Sequence, residues 1–181
     1  MTKKLRAEVR ESRKTLTVER LKYLLSYDPE TGIWTRIVTL NQMSRKGTVA
    51  GTEHKAKRSL AIYIRIKIDG KGYMAHRLAF LYMTGSWPVN QPDHKNTIGT
   101  DNRWENLRDA TSSQNIANKK KDCRNKSGFK GVYYSTQYQA FIASIKIRGK
   151  TTKIGIFDTA ELASIAYERR AKEVFGEFAR A

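Results

Sequence analysis

Residues 62–68, IYIRIKI, alternate isoleucine with larger polar or amphipathic side chains and run directly into Asp69-Gly70. Successive side chains of a strand point to opposite faces, so Ile62, Ile64, Ile66 and Ile68 share one face and Tyr63, Arg65 and Lys67 the other. The segment reads as a half-buried strand ending in a hairpin turn. A second strand is expected through Tyr73 to about His76. HRLAFLYMTG then puts Leu78, Leu81 and Tyr82 on one helical face, with Gly85 as the stop signal and His76 in a structural position at the helix entrance.

Upstream, a basic arm precedes TVERLKYLLS, where Val18, Leu21, Leu24 and Leu25 recur at helical spacing behind Thr17 as N-cap, with Glu19 in the first turn. YDPETGIWTRI predicts a turn over Asp28 to Gly32 and a strand through Trp34. Residues 41–58 lack periodicity and read as a basic loop. Downstream, NKKKDCRNKSG is charged and without apolar rhythm, which suits an inter-domain linker able to follow a phosphate backbone. GVYYSTQYQAFIASIKIRGKTTKIGIF reads as three short strands with turns near Thr136-Gln137 and at Arg148-Gly149-Lys150. DTAELASIAYERRAKEVFG is a helix that Asp158 or Thr159 caps and Gly176 ends, carrying Ala163, Ala166, Tyr167, Val174 and Phe175 as a stripe that covers one sheet face. The expected fold class is α+β in two small domains: residues 1–117 with a core at about 60–117, a basic linker at 118–127, and a three-stranded antiparallel sheet with one helix over 128–181.

Lys and Arg number 35 against 17 Asp and Glu, a net charge of +18. Such an excess implies a polyanionic partner, and nucleic acid is the expected one. Cys123 is the single cysteine, which excludes an internal disulfide and a cysteine-based zinc site. The sequence has no apolar run of ~20 residues and no signal-peptide core. A soluble, cytoplasmic protein with no membrane partner is therefore expected.

Residues 91–117 break the basic pattern with 3 basic and 4 acidic groups. Carboxylates beside a DNA surface repel phosphates unless they hold a cation. Here lie Asp93, His94, Asn102, Asn106 and Asn115, with Asn118 just beyond. Hydrolysis of a phosphodiester needs a base near neutral pKa and positive charge beside the phosphorus. His94 suits the first role. Asp93 and an asparagine amide oxygen suit a hard divalent cation. The bland reading is a turn-rich segment whose amides bond the backbone.

The wider pattern HRLAFLYMTGSWP, DHKN, TDNRWENLRDAT and SQN, over about residues 60–120, resembles the HNH endonucleases, specifically the phage-type group related to intron-encoded homing enzymes. That resemblance implies a ββα-metal site in which Asp93 binds the metal, His94 activates water and Asn106, 13 residues after Asp93, orients the imidazole. Asn115 stands nine residues later, where many relatives carry a final histidine, and becomes the second metal ligand of a His-Asn-Asn variant. An oxygen-preferring metal follows, Mg²⁺ first and Mn²⁺ second. Asn102 and Asn118 rank lower, as a loop brace and as the opening of the linker. Arg103 and Arg108 either clamp phosphate or pair with Asp101, Glu105 or Asp109, and Trp104 belongs to the core.

GVYY, IGIFDTAELASIAYERRA and FGEFA, over residues 128–181, resemble the AP2 DNA-binding domain, whose sheet lies in the major groove backed by one helix. Phe141, Ala143, Ile145 and Ile147 are expected to face the helix, and Ile142, Ser144, Lys146 and Arg148 the outside. The expected DNA-binding set is Tyr133, Ser135, Ser144, Lys146, Arg148, Thr151 and Lys153 on the sheet, with Lys119, Lys120, Lys121 and Arg124 along the backbone. Together these readings point to a homing-type, metal-dependent endonuclease of double-stranded DNA, phage-type by its resemblance, that acts as a monomer, with no protein partner evident. The alternatives are a non-catalytic, sequence-specific DNA-binding regulator and a structured-RNA binder.

Overall fold

A computed structural model describes residues 16–55, 61–121 and 125–180. The basic arm, Cys123 and Arg124 lie outside the described residues. Contacts divide the chain into two units, residues 1–89 with 98–107, and residues 90–97 with 108–181. Both are α+β, with small antiparallel sheets and four α-helices in total among the described residues.

The first unit opens with α1 (Val18–Leu24), capped by the Thr17 side chain, which accepts from the Arg20 N–H at 3.2 Å. Strands β1 (Leu25–Tyr27) and β2 (Trp34–Arg36) form a hairpin across the Asp28 to Gly32 turn. A second sheet orders β3 (Thr52–Lys55), β4 (Ile62–Ile68) and β5 (Lys71–Met74), and α2 (Ala75–Thr84) follows directly. Gly85 closes α2 in the left-handed conformation at φ 75°. The second strand stops at Met74, and His76 is already in the first turn of the helix. The expected loop over 41–58 contains β3, which pairs Thr52 with Arg65 and Lys55 with Ile62. It carries no sequence alternation because it is an edge strand whose side chains are nearly all exposed. Leu21, Leu24, Trp34, Ile66, Ile68, Leu78 and Leu81 form the core, with Leu107 at its margin.

The second unit begins with β6 (Gln91–His94), which pairs with β7 (Leu107–Ala110). Asn90 reinforces the pair, its N–H and side-chain amide donating to the Asp109 carboxylate at 3.2 and 3.0 Å. Helix α3 (Ser112–Asn118) starts in a capping box: the Gln114 N–H donates to the Thr111 hydroxyl, and the Thr111 N–H to the Gln114 side-chain oxygen. Strands β8 (Val132–Ser135), β9 (Ala140–Ile147) and β10 (Lys150–Phe157) then form an antiparallel sheet with β9 central. Helix α4 (Ala160–Phe175) covers one face and a 3-10 turn (Gly176–Phe178) ends the element order. Gly131 at φ 71° lies under the Tyr167 ring, where an added Cβ would come within 2.2 Å of ring carbons.

One core joins both parts of this second unit. Ala110 and Ala117 pack in the same cluster as Val132, Ala143, Ile145, Ala163, Tyr167, Phe175 and Phe178. The expected division at 118–127 and the contact division therefore differ. Asn118 is the last residue of α3 rather than the start of a linker, because the helix buries Ala117 and Asn118 together. Of the expected stripe on α4, Ala163, Tyr167 and Phe175 are buried, and Ala160, Ser164 and Ala171 join them.

Candidate functional site

Asp93 and His94 end β6 side by side, each 5% exposed. A buried carboxylate needs partners. Asp93 has two. The Asn118 side-chain amide donates to its Oδ1 at 3.0 Å and its Oδ2 at 2.9 Å, and Arg108 Nε donates to Oδ2 at 3.0 Å. The same Asn118 amide reaches the His94 carbonyl at 2.8 Å, which also accepts the Thr97 N–H at 2.9 Å. The two strand-end residues are thus tied to the last turn of α3 through one side chain.

Arg108 rises from β7 with its side chain 10% exposed. Its expected carboxylate was Asp101, Glu105 or Asp109; it pairs instead with Asp93. The reason is strand pairing. Asp109, next on β7, points the opposite way and is taken by Asn90. Arg103, in the first unit, does pair as expected, with Asp101 at 2.8 Å and Glu105 at 2.9 Å.

Asn115 lies on α3, where its N–H bonds the Thr111 carbonyl at 2.9 Å and its side-chain amide donates to Gln91 Oε1 at 3.0 Å. Gln91 opens the strand that ends in His94, so both α3 asparagines bond into β6, three residues apart on one helix face. Asn118 is the deeper of the two. Its place at the opening of the expected linker ranks it low by sequence, although the three-residue spacing from Asn115 is an available signal.

Asn106 belongs to the first unit. It ends the 3-10 turn Trp104–Asn106, is buried, and donates its amide to the Asp101 carbonyl at 2.8 Å. That loop is built from several sides. The Tyr27 hydroxyl donates to the Asn102 carbonyl at 2.6 Å, the Trp104 N–H to the Pro29 carbonyl at 2.9 Å, and Trp104 meets Phe80 edge-on at 5.0 Å. Gly32, at φ 73°, leaves room that a Cβ would fill, 2.4 Å from the Asn102 carbonyl carbon. Asn102 bonds the Thr100 carbonyl and is a brace within this loop.

The hard oxygen donors of the candidate site are the Asp93 carboxylate and the Asn115 amide oxygen, while Asn118 turns its amide nitrogen to Asp93. Among the described residues Oδ1 of Asp93 receives one donor against two on Oδ2, so a carboxylate with about four lone-pair sites keeps coordination capacity on that oxygen. Among the described residues no three His, Cys, Asp or Glu side chains cluster as a metal site. The set fits a hard, oxygen-preferring cation that takes most of its shell from phosphate and water.

Residues 73–117 match the HNH endonuclease family. No curated protein and no solved structure matches the chain. The HNH segment contains Asp93, His94, Asn106, Arg108 and Asn115 and stops one residue before Asn118. It supports a nuclease acting on DNA, a class that generally uses divalent metals.

The sheet of the second unit presents most of the expected DNA set on one face. The register places Thr151 opposite Lys146, Lys153 opposite Ser144, and Tyr133 opposite Ile142. Ile142 departs from the expected outward, exposed row: it is buried, flanked by Tyr133 and Ile156. The face is consequently apolar at one end and cationic at the other, with Lys153 Nζ lying 5.2 Å from the centre of the Tyr138 ring. Arg148 sits in the β9–β10 turn at φ 47°, its N–H bonded to Ser113 Oγ at 3.1 Å. Lys119 and Lys120 are exposed, and Lys121 donates to the Gly128 carbonyl at 2.7 Å.

Lys120, Lys121, Phe129, Lys130, Tyr167, Glu168 and Arg180 line a cleft of about 410 Å³. Lys130 is structural there: it donates to the carbonyls of Ala117, Lys119 and Arg180. Burial, aided by the Arg180 charge, lowers its ammonium to about 8.

No helix among the described residues is long and apolar enough to cross a membrane.

Proposed function

We propose that the chain is a homing-type, metal-dependent DNA endonuclease of the His-Asn-Asn variety, acting as a monomer. The observation that carries the proposal is the adjacent, buried Asp93–His94 pair at the end of β6, inside the segment that matches the HNH endonucleases. In this reading His94 accepts a proton from the attacking water. The water oxygen forms its bond to phosphorus as the bond to the 3′-oxygen breaks, leaving 5′-phosphate and 3′-hydroxyl ends. Asp93 and Asn115 would hold Mg²⁺ or Mn²⁺, which when bound supplies positive charge beside the phosphate and the leaving oxygen. Asn106 is assigned the orientation of the imidazole by the family resemblance alone.

Residues 128–181 act as an AP2-like reader in the same proposal, with Lys146 and Lys153 at the cationic end of the sheet face. Support comes from the sheet's width, since a small antiparallel sheet fits the ~12 Å major groove. Lys119 and Lys120 add sequence-independent phosphate contacts, and so does Arg124, which lies outside the described residues.

One observation favours the second reading, a non-catalytic DNA-binding regulator: Asp93 is already satisfied by Arg108 and Asn118, as a purely structural carboxylate would be. Supercoiled plasmid incubated with the protein and Mg²⁺, with and without EDTA, separates the two. EDTA-sensitive nicking is the expected result, and intact plasmid under saturating protein would leave the regulator.

A further inference from the structure

Arg108 is held on three sides within the second unit. Its Nε bonds Asp93 Oδ2 at 3.0 Å and its Nη1 bonds the Glu177 carbonyl at 3.0 Å, while the guanidinium carbon lies 3.7 Å over the Phe178 ring. The Glu177 carboxylate adds a looser contact, Oε2 to Nη1 at 3.6 Å, and is largely in solvent. A guanidinium is planar and donates in a rigid fork, so fixing one edge and one face fixes the direction of the remaining donors. The main-chain bond and the ring do this, and the direction that remains is Asp93.

We infer that Arg108 is a positioning residue through which the Glu177–Phe178 turn sets the Asp93 carboxylate. Arg108 and Asn118 both donate to Oδ2 and Asn118 also to Oδ1, which together set the carboxylate plane and leave Oδ1 the oxygen with a single donor among the described residues. The C-terminal segment thus completes the site as well as reading DNA. The shared core of Ala110 and Ala117 with Phe175 and Phe178 keeps the turn in register with β7 and α3. The inference rests on the proposed role of Asp93 as a functional carboxylate.

Two effects of losing Arg108 oppose each other, and their separation identifies the role. Removing a cation beside Asp93 strengthens the attraction for a divalent ion, whereas releasing the carboxylate from its orientation slows turnover. In the full chain, Arg108→Gln should therefore lower the nicking rate at saturating Mg²⁺ by roughly tenfold or more without raising the Mg²⁺ midpoint. Phe178→Leu, which keeps the charge and most of the apolar volume, should lower the saturating rate and leave the midpoint unchanged. Arg108→Lys should recover only part of the rate, since the ammonium lacks the fork.

A readout independent of activity is exchange of the Asn118 side-chain amide protons, followed by NMR. Both Arg108→Gln and Phe178→Leu should exchange them roughly tenfold faster than wild type, because the carboxylate they bond is no longer held. Thermal melts establish that the compared variants are folded. Wild-type saturating rates together with wild-type Asn118 exchange, in folded Arg108→Gln and Phe178→Leu, would overturn the inference. If the wild-type protein does not nick DNA, the nuclease reading falls, and the Asn118 exchange alone decides the positioning role.

Discussion

Asn118 donates its side-chain amide to both carboxylate oxygens of Asp93, at 3.0 and 2.9 Å, and so ties the end of α3 to the end of β6. Both residues are buried, which makes the contact a requirement of the fold rather than a surface choice. Asn115, three residues earlier, bonds Gln91 near the surface. The two asparagines hold the same strand at different depths.

That difference separates their substitutions. Asn118→Ala strips a buried carboxylate of a donor and should cost ~1–3 kcal/mol of unfolding free energy. Asn115→Ala removes a partly exposed amide pair and should stay within about 0.5 kcal/mol of wild type while weakening Mg²⁺ affinity, so that cleavage needs more Mg²⁺. Urea unfolding of both variants, beside Mg²⁺ titrations of nicking, checks the pair. Equal destabilisation would mean that depth is not what distinguishes them.

His94→Ala removes the proposed base, worth ~10²–10⁴-fold in rate. DNA affinity should persist, since the phosphate-binding cations are untouched. Asp93→Asn should abolish Mg²⁺-supported cleavage and, by deleting a negative charge, tighten DNA binding in the absence of metal. Gel-shift and plasmid assays on the same preparations measure both. Wild-type nicking by His94→Ala would remove His94 from the mechanism.

Substitutions on the sheet face should change recognition instead of chemistry. Lys146→Ala or Lys153→Ala removes a proposed base-edge contact worth ~1–3 kcal/mol and should relax discrimination at one or two positions of the site. Lys120→Ala should weaken binding evenly across sequences and reduce the slope of log affinity against log salt by about one. A footprint and salt slope identical to wild type in all three variants would place recognition elsewhere.

Lys130 makes stability depend on pH in the alkaline range. Its folded-state value, about 8, lies below the ordinary lysine value of 10.5, so the unfolded chain keeps the proton to higher pH. Stability from this group is lowest, and constant, below about 8, and rises as pH climbs from about 8 toward 10.5. Urea midpoints measured across that window should increase, and Lys130→Met should remove this contribution to the slope. A falling wild-type midpoint with the same slope in Lys130→Met would show that the buried ammonium is not responsible.

Local elements were legible because their signals are local. The isoleucine alternation of β4, the Thr17 cap and the Gly85 stop depend only on neighbours a few residues away. Edge strand β3 was not legible, since an exposed strand has no reason to alternate. Ile142 was misplaced because its burial comes from cross-strand Tyr133 and Ile156, which a single strand's pattern does not contain.

The sequence by itself determined the basic surface, the α+β class, and the segment holding Asp93, His94, Asn106 and Asn115. It also put Asp93 and His94 next to each other on a strand, because chain neighbours cannot be separated. Tertiary structure decided the partners. Arg108 met Asp93 and not Asp109, because β7 turns alternate side chains to opposite sides and pairs with β6. Glu177 and Phe178, 69 and 70 residues beyond Arg108, came to hold its other faces because one core packs their turn with β7 and α3. Such contacts depend on how helices and sheet pack, and no spacing in the chain encodes a hydrogen bond between residues so far apart.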